Sequence, residues 1–235
     1  MRNIRLIMVA AMLGLLAASC GSYTPSCTDI PLIQHRGQLQ LEGAVVPTGR
    51  NCDLDMRGSL AWGVTDHFAT EVSINPVKRY SQVMGGFYNT VGEKFVYEIY
   101  GGAAMGYGYV TYDDDPDRFK KGNYQIAFVQ GDCGWVNLTQ FLNLDLAFSL
   151  KTGIIHGDFF CHDGWEQLES GGRSQLCHKE KGNNFLLEPT MEVRFGWERL
   201  KFNIKAGFSF IPPTPSFRMT YFPFSIGVGV SYRFN

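Results

Sequence analysis

From Gly37 onward the chain repeats one pattern: an apolar residue at every second position, a small or polar residue between, then turn residues before the pattern resumes. The last stretch shows it most cleanly. Ile226, Val228, Val230, Tyr232 and Phe234 alternate with Ser225, Gly227, Gly229, Ser231 and Arg233. Successive side chains of a strand point to opposite faces, so period two marks a strand with one apolar and one polar face. Leu39, Leu41, Gly43 and Val45 oppose Gln38, Gln40 and Glu42, while Met56, Leu60, Trp62 and Val64 oppose Asp55, Arg57 and Ser59. Phe68, Thr70, Val72 and Ile74 oppose Glu71, Ser73 and Asn75. From Lys94, KFVYEIYGGAAMGYGYV puts Phe95, Tyr97, Ile99, Ala103, Met105, Tyr107 and Tyr109 on one face. Leu142 to Leu150 alternates with Asn143 to Lys151, Phe185 to Trp197 with Glu188 to Arg194, and Leu200 to Phe208 with Lys201 to Ser209. Two further strands, around Val83–Val91 and Asn123–Val129, are less regular, and no convincing amphipathic helix occurs. The pattern predicts an all-β fold of about ten antiparallel strands, with eight or twelve the neighbouring even counts.

The connections alternate as well. VTDHF, VGEKF and GWERL are tight, whereas TGRNCD, DDDPDRFKKG, residues 157–184 and IPPTPSF are long; GDCGWVN fits the tight set less well. Short turns at one end and long loops at the other predict a closed up-and-down barrel over residues 37–235, with both ends of the chain on the short-turn side.

Period two does not say which face is inside. The polar face carries Glu42, Asp55, Arg57, Glu71, Glu98, Asp145, Lys151, Glu188, Glu192, Arg194, Lys201, Lys205 and Arg233, separated by Gly, Ser, Ala and Asn. Acids and bases are nearly balanced among small residues, which suits a crowded lumen where long charged side chains pair. Glu188 and Glu192, with Arg194 beside them on the same strand, are expected to form salt bridges with Lys201 and Lys205 on the next strand. The apolar face is aliphatic in its middle. Trp62, Phe68, Trp197, Tyr232 and Phe234 lie near the short turns, and Tyr107, Tyr109, Phe210 and Tyr221 near the long loops. Two aromatic rings around an aliphatic band suit a lipid-facing wall, where a basic residue at the midplane costs roughly 2–4 kcal/mol. The expected arrangement is polar inside, with a plugged or narrow lumen, since roughly ten strands enclose little more than their own side chains.

The N-terminus adds an address. Arg2 and Arg5 precede an apolar stretch, Leu6 to Leu16, too short to span a bilayer as a helix, and Ala17-Ala18-Ser19 leads to Cys20. Small residues ahead of a cysteine resemble the lipobox of bacterial lipoproteins, which implies a signal peptide over 1–19 and diacylation of Cys20. Residues 20–36, with two prolines and no periodicity, read as a lipidated tether. GSYTPS after Cys20 carries no acidic cluster and so resembles lipoproteins kept on the inner leaflet. A formal net charge of -1 argues against nucleic acid as a partner.

GVSYRFN resembles the closing strand of outer-membrane β-barrel proteins of Gram-negative bacteria, although Asn235 follows the terminal aromatic Phe234. WGVTDHFATEVS resembles the strand-turn-strand of small barrels of that kind. IPLIQHRGQLQLEGAV after a lipobox resembles the start of lipid-anchored barrels of Bacteroidetes-type bacteria. The resemblance implies an outer-membrane location with the anchor on the periplasmic side. It also implies outer-membrane lipid and the barrel-assembly and lipoprotein-sorting machinery as partners.

Candidate chemistry is sparse. Cys161 and Cys177 share the longest predicted loop, and in an oxidising envelope a bond between them would close about 15 residues, worth roughly 3 kcal/mol. Cys52 competes as a partner, and Cys27 with Cys133 makes a weaker second pair. Cys161-His162 and Cys177-His178 contain zinc-ligand types, but neighbours in a strand point oppositely, so no metal or other cofactor is expected. Barrel hydrolases need a nucleophile and base converging at the rim. His156, His162 and His178 are the only rim histidines, and no serine stands beside one in a His-x-Ser arrangement; His35 and His67 read as solvated, and Asp113, Asp114, Asp115 and Asp117 as a charged turn. The expected function is therefore non-enzymatic: a structural role, or binding of an extracellular or membrane-protein partner through the loops. The alternatives are a periplasmic lipocalin-like calyx for a small apolar ligand and an acyl hydrolase.

Overall fold

In a computed structural model, described for residues 23, 28–48, 53–112, 115–139, 142–167, 173–215, 217 and 219–234, alternation has become a closed barrel of ten antiparallel strands. They are β1 (Leu39–Thr48), β2 (Asp53–Gly63), β3 (Phe68–Asn75), β4 (Tyr80–Val91), β5 (Phe95–Tyr112), β6 (Asp115–Trp135), β7 (Asp145–Gln167), β8 (Arg173–Gly196), β9 (Leu200–Phe208) and β10 (Phe224–Phe234). Each pairs with its neighbours in sequence, and the barrel closes where β1 meets β10, in register from Leu39 opposite Phe234 to Val45 opposite Val228. Closure leaves no unpaired edge, the condition for a sheet to stand in a solvent that offers no hydrogen bonds.

The faces are inverted relative to a soluble protein. Ile204 is 48% exposed and Phe202 44%, whereas Lys201 and Lys205 on the same strand are 2% and 1% exposed. Leu41, Leu60, Trp62, Val72, Ile99, Leu150 and Val228 likewise face outward. Phe210, Tyr109 and Trp197 stand exposed on the outer wall as expected, but Tyr221 packs against the interior cluster.

Two readings are corrected. The stretches 113–122 and 157–184, expected as loops, are largely strand: β5–β6 and β7–β8 run on as long hairpins, with Phe119 opposite His162 and Lys179 opposite Phe160. β5–β8 have 18 to 24 residues each against 8 to 12 in β1–β4, so they project well beyond them. Both faces of a projecting hairpin can be polar, so pairing continues after the alternation ends.

The second correction concerns the segment read as a tether. Residues 28–33 are buried inside the barrel, Ile30, Leu32 and Ile33 completely. Upstream, Tyr23 lies at the long-loop end, where its N–H donates to the Thr220 carbonyl and its own carbonyl accepts from Phe222 N–H. Downstream, the Gly37 N–H donates to Gly63 at the short-turn end. Residues 28–33 thus lie in the lumen before the chain enters β1, and Tyr23 is at the opposite end from the one expected for the N-terminal segment. A run of three apolar side chains in an ionic tube is what a plug supplies and a solvated tether does not.

Candidate functional site: the filled lumen and its mouth

The thirteen charged residues of the polar face are buried: Glu42, Asp55, Arg57, Glu71, Glu98, Asp145, Lys151, Glu188, Glu192, Arg194, Lys201, Lys205 and Arg233. The facing pair Glu192–Lys205 is present, while the other partners differ from the simple cross-strand pairs. Lys201 Nζ is 2.5 Å from Asp145 Oδ1, two strands away, and Arg233 is 3.7 Å from the same carboxylate. Lys205 contacts Glu42 and approaches Glu192 at 3.9 Å. Arg194 Nε and Nη2 donate to the two oxygens of Glu192 at 2.7 and 2.8 Å, a bidentate fork. Glu188, expected to pair with Lys201 or Lys205, accepts instead from Ser209 at 2.5 Å and from the Tyr23 hydroxyl at 2.8 Å, with Lys151 3.9 Å away.

The plug is fastened by this network. Asp29, overlooked because it sits in an aperiodic segment, lies 2.6 Å from Arg57 Nη2 and 3.1 Å from Lys205 Nζ. Glu98 accepts the backbone N–H of Leu32 at 3.0 Å and of Ile33 at 2.7 Å. Leu32 has φ of 51°, the left-handed region a leucine rarely adopts, and the carboxylate holds it there. Arg194 donates to the Ile30 carbonyl and, at 3.4 Å, to that of Pro31. Gln130 Nε2 donates to the Asp29 carbonyl at 2.8 Å. Hydrogen bonds to charged groups contribute about 1.5–3 kcal/mol each. Several of them converge on six residues.

Above the plug, the connection between β9 and β10 folds into the mouth. Phe217 lies over the facing pair Gly157 and Gly182, where a Cβ on either would come within 2.6 and 2.4 Å of its ring or side chain. Only residues without a side chain leave room for it. A remaining cavity of about 10 Å³, bordered by Tyr23, Arg57, Tyr80, Lys151 and Glu188, is room for about one water. The interior of the described residues is thus filled by the plug, a buried ionic network and a buried apolar cluster that includes Phe128, Ile155 and Leu186.

Outside that core, β6, β7 and β8 carry a second polar group on the inner face of their projecting walls. Lys120 faces Cys161 and Cys161 faces His178 across the three strands. His178 contacts Asp163 through Nδ1 at 2.6 Å and Glu180 through Nε2 at 3.2 Å. The bond to Glu180 raises the His178 pKa; burial raises that of Glu180, and Lys120 and His178 outweigh it and leave it below the usual value. Burial pushes the Cys161 thiol up to about 11.

Cys161 and Cys177 are not bonded to each other. Cys161 stands opposite His178 while Cys177 stands opposite His162, an offset of one residue that turns the two thiols to opposite faces. Cys133 is also a free thiol. Cys20, Cys27, Cys52, Asp113, Asp114 and the proposed signal peptide lie outside the described residues. His156 accompanies Asn183 at 2.5 Å, and His162 stacks on Phe119 with centroids 5.2 Å apart. Both belong to the register positions facing away from His178, so the three rim histidines do not converge.

The fold therefore defines a closed ten-stranded antiparallel β-barrel with a charged, internally plugged lumen. No protein-family model and no curated protein matches the chain.

Proposed function

We propose that this is a lipid-anchored outer-membrane barrel, closed to solutes by its own N-terminal segment, with a non-enzymatic role in which the projecting β5–β8 hairpins meet an extracellular or membrane-protein partner. The observation that carries the reading is the inversion of faces: an apolar outer wall around a closed ladder, with the charged side chains behind that wall, such as Arg194, Lys201 and Lys205, turned inward. Such a wall is costly in water and suited to acyl chains. Because residues 28–33 occupy the lumen and Phe217 folds over its mouth, the work falls to the projecting strands rather than to transport.

Ile204→Arg tests the lipid contact. Placed at the middle of the outer face, it is expected to lower folding stability in lipid vesicles by about 2–4 kcal/mol, measured by urea titration. Arg at exposed Lys179 on the projection is expected to change stability little. Equal and negligible effects at both sites would remove the membrane from the reading.

The anchor follows the thread of the chain. Tyr23 lies at the long-loop end, and Cys20 precedes it by three residues of sequence, a chain length that reaches at most about 11 Å. Long loops of outer-membrane barrels face outward, and the acyl chains then enter the outer leaflet rather than the inner one. Palmitate labelling lost in Cys20→Ala, together with antibody access on intact cells to an epitope placed between Gly21 and Ser22, is the expected result. An epitope reached only after permeabilisation would return the anchor to the periplasmic side.

A further inference from the structure

The polar group at the mouth has a composition and spacing that the plug does not explain. Cys161 Sγ, a ring nitrogen of His178 and a carboxylate oxygen of Glu180 all lie within 4.8 Å of one another. Strand register produces this: Cys161 and His178 are a directly facing pair, and Glu180 is two residues along β8 on the same face. His178 Nε2 and Glu180 Oε1 are 3.2 Å apart. Nitrogen and oxygen ligands about 2.1 Å from one tetrahedral zinc ion are about 3.4 Å from each other, so this pair needs almost no rearrangement.

The surroundings support the same use. Asp163 Oδ2, 2.6 Å from His178 Nδ1, is the carboxylate partner that fixes a metal-binding imidazole in one tautomer and orientation. The second oxygen of Glu180 is held by Lys120, whose ammonium also lies 5.1 Å from the Phe159 ring centroid and 5.3 Å from that of Phe217. That contact steers the other oxygen toward His178. Cys177, the thiol that would compete by oxidation, is turned to the other face. We propose that Cys161, His178 and Glu180 form a binding site for a divalent metal ion of the zinc class, with a fourth coordination position open to the mouth of the barrel. A thiolate, imidazole and carboxylate together are the donor set of zinc rather than of calcium or magnesium, which take oxygen. The ion would tie β7 to β8 above the level of the membrane.

The test uses the full mature chain, folded in detergent, reduced, stripped with chelator and titrated with zinc alone, then with cobalt as a spectroscopic probe. One ion per chain and a thiolate-to-cobalt charge-transfer band are expected. Cys161→Ser removes the band, and His178→Gln abolishes zinc binding within the range of the titration. Asp163→Asn weakens it about 10–100-fold, while Cys177→Ser binds as the parent does. Heat-modifiable gel migration identifies folded samples, and Asp163→Asn and Cys177→Ser alone decide the matter if the ligand variants fail to fold. No binding by the reduced parent, an undiminished band in Cys161→Ser, no weakening in Asp163→Asn, or equal loss in Cys177→Ser would overturn the site.

Discussion

Arg194→Ala is expected to cost about 3–5 kcal/mol of folding stability, the usual result of removing one member of a buried ion pair. The guanidinium is fully enclosed, forks onto Glu192, approaches Glu42 at 3.7 Å and caps the carbonyls of Ile30 and Pro31. Its loss leaves a carboxylate without its closest partner and two plug carbonyls without a donor. Urea titration of the detergent-folded barrel measures the effect. The double variant Glu192→Gln with Arg194→Met should recover part of the loss, because it removes the charge left behind as well as the charge deleted. A loss below about 1 kcal/mol for the single variant would mean that water reaches this part of the lumen.

Deletion of residues 21–36 should have the second large effect, and a qualitative one. Reconstituted into planar bilayers, the parent is expected to be electrically silent and the deleted chain to conduct ions. Within it, residues 28–33 lie buried inside the barrel and occupy Glu98, Arg57, Lys205 and Gln130. Once exposed, those groups would line a hydrated passage. A deleted chain that folds, shown by heat-modifiable migration, yet stays silent would show that the β9–β10 connection at the mouth closes the barrel alone.

The extent of the sequence signal follows the solvent each face meets. β9 was legible residue by residue, since Lys201, Asn203 and Lys205 must point one way and Phe202, Ile204 and Phe208 the other. The same constraint marked thirteen of the buried charges, from Glu42 to Arg233, though not Asp29 in the aperiodic segment or Asp132 on β6. It ends where the exposed apolar band ends: around Phe160 and Lys179 both sides of the sheet are free to be polar, and nothing in the residue order separates a paired strand from a loop. The plug had a different signal, which composition contained and periodicity did not. Ile30, Leu32 and Ile33 form an apolar cluster too rich for a solvated tether. Cys161, His178 and Glu180 were individually visible, but only the one-residue register offset showed which thiol faces the histidine.

The seam between β1 and β10 dictates an order of assembly. Six residues anchored by buried ionic contacts cannot easily be drawn through a tube that is already shut, so the segment must lie among the nascent strands before the first and last of them zip together. A free peptide of residues 28–36 offered to a finished, empty barrel would then arrive too late to silence it.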